Sequence, residues 1–181
     1  MGLPDQLTVA RILSVPVVIV LYEWDFPHNE YWATVVFALA MATDWLDGRL
    51  ARRWDRTSAF GSLLDPIADK ILVLSVLIVL IGDGVFPAWM VALIVAREFL
   101  VSGLRLAAIE PGVVLQARDL GKLKTWAQAV AAGIGGFAAA AWDDTAAWWA
   151  LLVALVLTWL SGLDYAREAP ALFRRRVVAS P

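Results

Sequence analysis

The sequence predicts an all-α integral membrane protein: six transmembrane helices folded as one membrane-embedded domain over residues 1–181. Three observations carry this. Hydrophobic residues make up 61% of the chain and mean hydropathy is +0.70, well above the roughly one-half apolar share of soluble domains. Six apolar stretches each approach the roughly 20 residues that a helix needs to cross a bilayer. Alternate connections between those stretches hold no Lys or Arg, as the positive-inside rule requires of a chain that crosses repeatedly.

The first span runs from about Thr8 to Trp24 and is entered through Pro4 and Asp5, with Asp5 placed as the helix N-cap. Pro27 and Asn29 mark the turn Asp25 to Glu30 that ends it. The second span covers Tyr31 to Arg49 and the third Ala59 to Ile81, the latter closed by Gly82-Asp83-Gly84. Pro87 fits the first turn of the fourth span, Pro87 to Ile109, and Glu110-Pro111-Gly112 breaks it. The fifth runs from Leu123 to Trp142 and the sixth from Ala146 to Ala166, with a basic tail at Arg174 to Arg176. That tail suits anionic headgroups.

An even number of spans puts both termini on one side. The odd-numbered turns (Asp25 to Glu30, Gly82 to Phe86, Asp143 to Thr145) hold no Lys or Arg. Arg49, Arg52, Arg53, Arg56, Arg118, Lys122, Lys124 and Arg167 fall on the opposite side, which is therefore expected to be cytoplasmic. Trp24, Trp32, Trp89, Trp142, Trp148 and Trp149 sit at the expected outer ends, as an interfacial aromatic belt would. The chain has no cysteine, so disulfide, thiolate-metal and thiol chemistry are excluded, and its one histidine, His28, lies in a short polar turn. No cleavable leader and no nucleic-acid partner are expected.

Charged residues inside spans are functional candidates because hydrocarbon penalises them. Asp44 and Asp47 fall in the last turns of the second span, and Asp65 and Asp69 in the first turns of the third. Spacings of three and four put each pair on one helix face. Carboxylates that close cannot all stay ionised in low dielectric without positive charge among them. Ion pairing to Arg49, Arg52, Arg56 and Lys70 is one answer, and a pair of divalent cations is another. Oxygen donors without competing Cys or His favour Mg2+ or Mn2+, and two such ions suit phosphoryl transfer. Gly48 and Ala51 share the face of Asp44 and Asp47 and clear it of bulk, while Arg52 offers a planar fork for phosphate. Arg97 and Glu98 lie deep in the fourth span; adjacent helical residues diverge by about 100°, so they need not pair with each other. Arg105, Arg118, Lys122 and Lys124 form a basic set at the level of the aspartates and fit an anion pocket or plain topology. The run around Gly121-Lys122 lacks the spacing of a phosphate loop.

The run Asp44 to Asp69 resembles the signature D-x2-D-G-x2-A-R-x8-G-x3-D-x3-D of the CDP-alcohol phosphatidyltransferases. All eight fixed positions are present: Asp44, Asp47, Gly48, Ala51, Arg52, Gly61, Asp65 and Asp69. The resemblance implies a six-helix membrane fold, usually dimeric, with its site open to the cytoplasmic leaflet. It implies two divalent ions, Mg2+ or Mn2+, held by Asp44, Asp47, Asp65 and Asp69, with Asp69 also the catalytic base. It implies a CDP site at Thr8, Asp44, Gly48, Ala51, Arg52, Ser58 and Asp65. Pro4-Asp5-Gln6-Leu7-Thr8-Val9-Ala10-Arg11 is similar to the opening segment of the phosphatidylglycerophosphate synthase branch, with Asp5 where that branch usually has Asn. Arg97-Glu98-Phe99 with Ser102 and Arg105, and Gly121-Lys122 with Lys124-Thr125 and Gln128, also look like that branch. This implies CDP-diacylglycerol as donor and sn-glycerol 3-phosphate as acceptor, with Arg105, Lys122 and Lys124, ahead of Arg118, at the acceptor phosphate. Cardiolipin synthesis, phosphatidylinositol phosphate synthesis and divalent-cation transport are the rival readings. Transport is disfavoured because little carboxylate lines the outer half of the spans.

Overall fold

The structure is a computed structural model. It describes the backbone of residues 3–54, 59–109, 119–141 and 144–178, and side chains over 9–43, 67–68, 70–104, 121–141 and 144–163. Six helices and no strands occur among the described residues: α1 (Leu3–Glu23), α2 (Asn29–Trp54), α3 (Ala59–Gly82), α4 (Ala88–Ile109), α5 (Asp119–Ala141) and α6 (Thr145–Val178).

Each helix matches an expected span, but several overrun it. The chain is helical from Leu3, so Asp5 lies within the first turn of α1 and is not its N-cap; Pro4 tolerates that place because a first-turn N–H has no intrahelical partner. α2 continues past Arg49 to Trp54, and α6 past Ala166 to Val178, taking the basic tail into the helix. Apolar windows locate hydrocarbon, whereas the hydrogen-bond ladder continues wherever helix formers such as Leu50, Ala51, Arg52 and Arg53 follow.

The turns are built locally. Between α1 and α2, the Asn29 side chain donates to the Tyr22 carbonyl at 2.8 Å, and the Asn29 N–H reaches the Phe26 carbonyl at 3.2 Å. His28 takes φ 62° to make the corner, a left-handed conformation unusual for a residue with a Cβ. α3 ends in a Schellman closure: Gly84 (φ 77°) donates to Ile81 at 3.1 Å and Val85 donates to Leu80 at 3.1 Å. The Pro87 carbonyl then accepts from Met90 at 3.1 Å, so Pro87 caps α4 from just outside it.

α5 is the central helix, packed against α2, α3 and α6, while α1 packs on both α2 and α3. Composition explains the centrality. α5 buries Ala129, Ala131, Ala132 and Ala138, and backbones approach closely where side chains are small. At Gly135, an added Cβ would run into the Phe86 ring and come within 2.9 Å of Leu80 Cδ1. At Gly136 it would meet the hydroxyls of Tyr22 and Thr34, which bond each other at 2.9 Å. Leu72, Val76, Leu77 and Leu80 of α3, Met90 and Ile94 of α4 and Leu151 of α6 complete the core.

Among the described residues, many large apolar side chains face outward. Leu13, Val17 and Val20 form an exposed stripe on α1, continued by Trp24 just past its end, as do Leu123, Trp126, Val130, Ile134 and Phe137 on α5 and Trp149, Val153, Val156, Leu160 and Leu163 on α6. These spacings of three and four are those of a helix face, and water would be a poor solvent for such faces. Among the described residues one stretch, Thr145–Leu163, is by itself long and apolar enough to cross a membrane; α3 offers the shorter apolar run Lys70–Gly82.

Candidate active site

The signature residues fall on two helix ends. Asp44, Asp47, Gly48, Ala51 and Arg52 occupy the last three turns of α2, and Gly61, Asp65 and Asp69 the first three of α3. No proline interrupts α2, and one glycine is tolerated inside a helix, so the i, i+3, i+4 register expected for Asp44, Asp47, Gly48 and Ala51 is realised in the backbone. α1 and α5 each pack against both helices, and α1 carries Thr8. α1 buries Arg11, Val15, Val18 and Tyr22, and Thr8 stands one turn earlier in that register. The side chains of Thr8, Asp44, Asp47, Arg52, Asp65, Asp69 and Arg105 lie outside the described residues, as do Ser58 and Arg118 altogether. Among the described residues no three potential metal ligands converge.

Around Lys70, the residue after Asp69 on α3, the structure describes a polar cluster in detail. Its centre is Glu98 on α4, whose side chain is 3% exposed. Glu98 Oε1 accepts from Arg97 Nη1 at 2.9 Å and from Lys124 Nζ of α5, with Gln128 Nε2 more distant at 3.4 Å. Glu98 Oε2 faces Lys70 Nζ of α3 at 3.4 Å. Lys70 also donates to Ser102 Oγ at 2.5 Å, and Ser102 donates back to the Glu98 carbonyl at 2.7 Å. α6 closes the cluster: Arg97 Nη2 donates to Ser161 Oγ at 2.6 Å and Gln128 donates to Thr158 Oγ1 at 2.7 Å. Gly162 leaves room for the guanidinium, since a Cβ there would lie 2.9 Å from Arg97 Nε.

A buried carboxylate needs this company. Unpaired, its desolvation would outweigh any packing gain, and the short charge-assisted bonds to Arg97 and Lys124 offset that penalty. Arg97 and Glu98 do bond each other, although their Cβ directions diverge; the long guanidinium stem spans the difference while also reaching α6. Of the basic set, Lys124 is buried in this cluster and Lys122 is exposed. Sequence reasoning singled out Lys70, Arg97, Glu98 and Lys124, included Ser102 and Gln128 only in a family resemblance, and missed Thr158, Ser161 and Gly162. The signal was present in the helical spacing. Gln128 follows Lys124 by four residues and Ser161 follows Thr158 by three, so each pair shares one face of a mostly apolar helix.

Away from the site, Asp83 follows the end of α3 within electrostatic reach of Glu30, at the start of α2, and Glu23, at the end of α1. Shielding from water, and then the nearby Glu30 and Glu23, hold the Asp83 carboxyl above its ordinary value.

A family model described as CDP-alcohol phosphatidyltransferase matches residues 1–160. A Bacillus subtilis (strain 168) protein named CDP-diacylglycerol–glycerol-3-phosphate 3-phosphatidyltransferase is 40% identical over 142 residues, covering 72% of this chain and 74% of its own. The Escherichia coli K12 protein of the same name is 34% identical over 175 residues, covering 94% of this chain and 96% of its own. A Mycobacterium tuberculosis H37Rv protein named probable phosphatidylglycerophosphate synthase is 40% identical over 173 residues, with 93% and 81% covered. With its signature on adjoining helix ends and a family match that spans nearly the whole bundle, the chain belongs to the CDP-alcohol phosphatidyltransferase family.

Proposed function

We propose that this protein transfers a phosphatidyl group from CDP-diacylglycerol to sn-glycerol 3-phosphate, giving phosphatidylglycerophosphate and CMP. The observation that carries the reading is the complete signature, divided between the end of α2 and the start of α3. The names of the relatives support the choice of acceptor.

The donor set fits hard divalent cations. All four proposed ligands, Asp44, Asp47, Asp65 and Asp69, are carboxylates, the chain has no cysteine, and its one histidine lies in the turn between α1 and α2. Bound Mg2+ or Mn2+ would supply charge neutralisation along the diphosphate. Asp69 takes the proton from the acceptor hydroxyl, whose oxygen attacks the phosphorus bearing the diacylglycerol. The bond to the other phosphate breaks, and CMP leaves with the electron pair. Thr8, Gly48, Ala51, Arg52 and Ser58 form the CDP site with Asp44 and Asp65; glycine and alanine admit the ligand to the backbone, and Arg52 grips phosphate bidentately. Lys124, Lys122 and Arg105, ahead of Arg118, receive the acceptor phosphate.

The exposed apolar stripes support six spans in a single membrane-embedded catalytic domain over residues 1–181, with lipid as surrounding solvent. Both termini and the site face the cytoplasm, by the Lys and Arg distribution, and the working unit is a homodimer, by family resemblance.

The test is CMP release by purified protein in detergent with Mg2+ and CDP-diacylglycerol. Release with glycerol 3-phosphate, and none with phosphatidylglycerol or inositol phosphate, is expected. The nearly isosteric Asp69→Asn change should abolish release while leaving the fold intact. Release with a different acceptor alone would refute the substrate assignment, and no release with any acceptor would refute the enzyme reading.

A further inference from the structure

Glu98 is built into more than a pairwise ion bridge. Three cations from three helices, Lys70 of α3, Arg97 of α4 and Lys124 of α5, surround its one carboxylate. A buried ion pair of this kind adds little stability over the apolar packing found elsewhere in the bundle, so stability alone does not account for it. The arrangement does one thing that apolar packing cannot. Lysine ammonium groups ride on flexible four-carbon stems and point poorly by themselves. Here Lys124 is held at one carboxylate oxygen and Lys70 at the other, at 3.4 Å, while Ser102 steadies Lys70 from the next turn of α4. A single residue therefore sets the distance between ammonium groups on two different helices. Lys70 directly follows Asp69 in α3.

We propose that Glu98 is a positioning residue for the acceptor: it fixes Lys124 and Lys70 beside the reaction centre and so sets affinity for the acceptor phosphate without touching substrate. This rests on the phosphatidyl-transfer reading given above. Arg97, anchored to Ser161 and accommodated by Gly162, keeps the Glu98 carboxylate in place from the α6 side.

The experiment is steady-state CMP release by wild type, Glu98→Asp and the double variant Arg97→Gln/Glu98→Gln, varying each substrate in turn. Unfolding temperature in detergent is measured alongside. Glu98→Asp keeps the charge but withdraws the carboxylate by one methylene. The double variant removes one positive and one negative charge together. KM for glycerol 3-phosphate should rise about tenfold or more in each, with KM for CDP-diacylglycerol and kcat nearly unchanged, while a lowered unfolding temperature still leaves both variants folded at the assay temperature. Equal rises in both KM values, an unchanged acceptor KM, or loss of fold in both variants would overturn the assignment and make Glu98 a structural residue. A wild-type protein that releases no CMP with glycerol 3-phosphate would instead overturn the functional reading itself, a result visible before any variant is made.

Discussion

Asp83 illustrates what one ionisable group does at the end of this bundle. Its carboxyl is held above the ordinary value, so the folded protein retains a proton there more readily than the unfolded chain. At neutral pH the group is ionised in both states and weakens the fold; below the ordinary aspartate value, about 4, both states are protonated and the penalty is gone. Asp83→Asn should therefore raise the unfolding temperature at pH 7, and the gain should shrink as the pH is lowered toward 4. A gain independent of pH would mean that the carboxylate repulsion is not its source. At this scale the sequence was informative about identities and poor about company. Asp44, Asp47, Asp65 and Asp69 stood out because their spacing is helical and their neighbours apolar. That Glu98 would collect Lys70 and Lys124 was hidden, because contacts between residues 26 and 28 positions apart depend on how helices pack and not on any local period.

Among the elements, α5 owes its central place to what it lacks. Gly135→Ala would press a methyl into the Phe86 ring and Leu80, and should cost about 1–3 kcal/mol in unfolding experiments, as overpacked cores do. Gly133, with nothing within 4 Å of the added carbon, is the control: Gly133→Ala should be neutral or stabilising by up to about 1 kcal/mol through helix propensity. Equal effects at the two sites would mean that close packing is not what glycine provides at Gly135. All six helices were legible from hydropathy, and so was the closure at Gly82-Asp83-Gly84. Their ends were less so, because α1, α2 and α6 extend beyond the apolar window, where hydropathy carries no signal for the hydrogen-bond ladder. The choice of α5 as the centre was not legible either. Its alanines and glycines look weakly apolar as a list, and only packing reveals them as the surface on which α2, α3 and α6 converge.

For the whole molecule, the natural absence of cysteine makes the topology directly testable. Single cysteines introduced at Asn29 and Asp144 should react with a membrane-impermeant maleimide added outside intact cells, whereas one at Lys122 should react only after the membrane is opened. Labelling of all three from the same side would refute the six-span arrangement. The two ends of the bundle also differ in how they are held. The cluster around Glu98 joins α3, α4, α5 and α6 by charge and hydrogen bonds, while the other end relies on the tight seams at Gly135 and Gly136. At Gly136 the space a methyl would need is already filled by two hydroxyls, one from α1 and one from α2, bonded to each other. Tyr22, Thr34 and Gly136 are thus one inherited unit written in three places. A lineage can enlarge residue 136 only by surrendering bulk at 22 or 34 in the same step, so drift at any of the three is conditional on the other two.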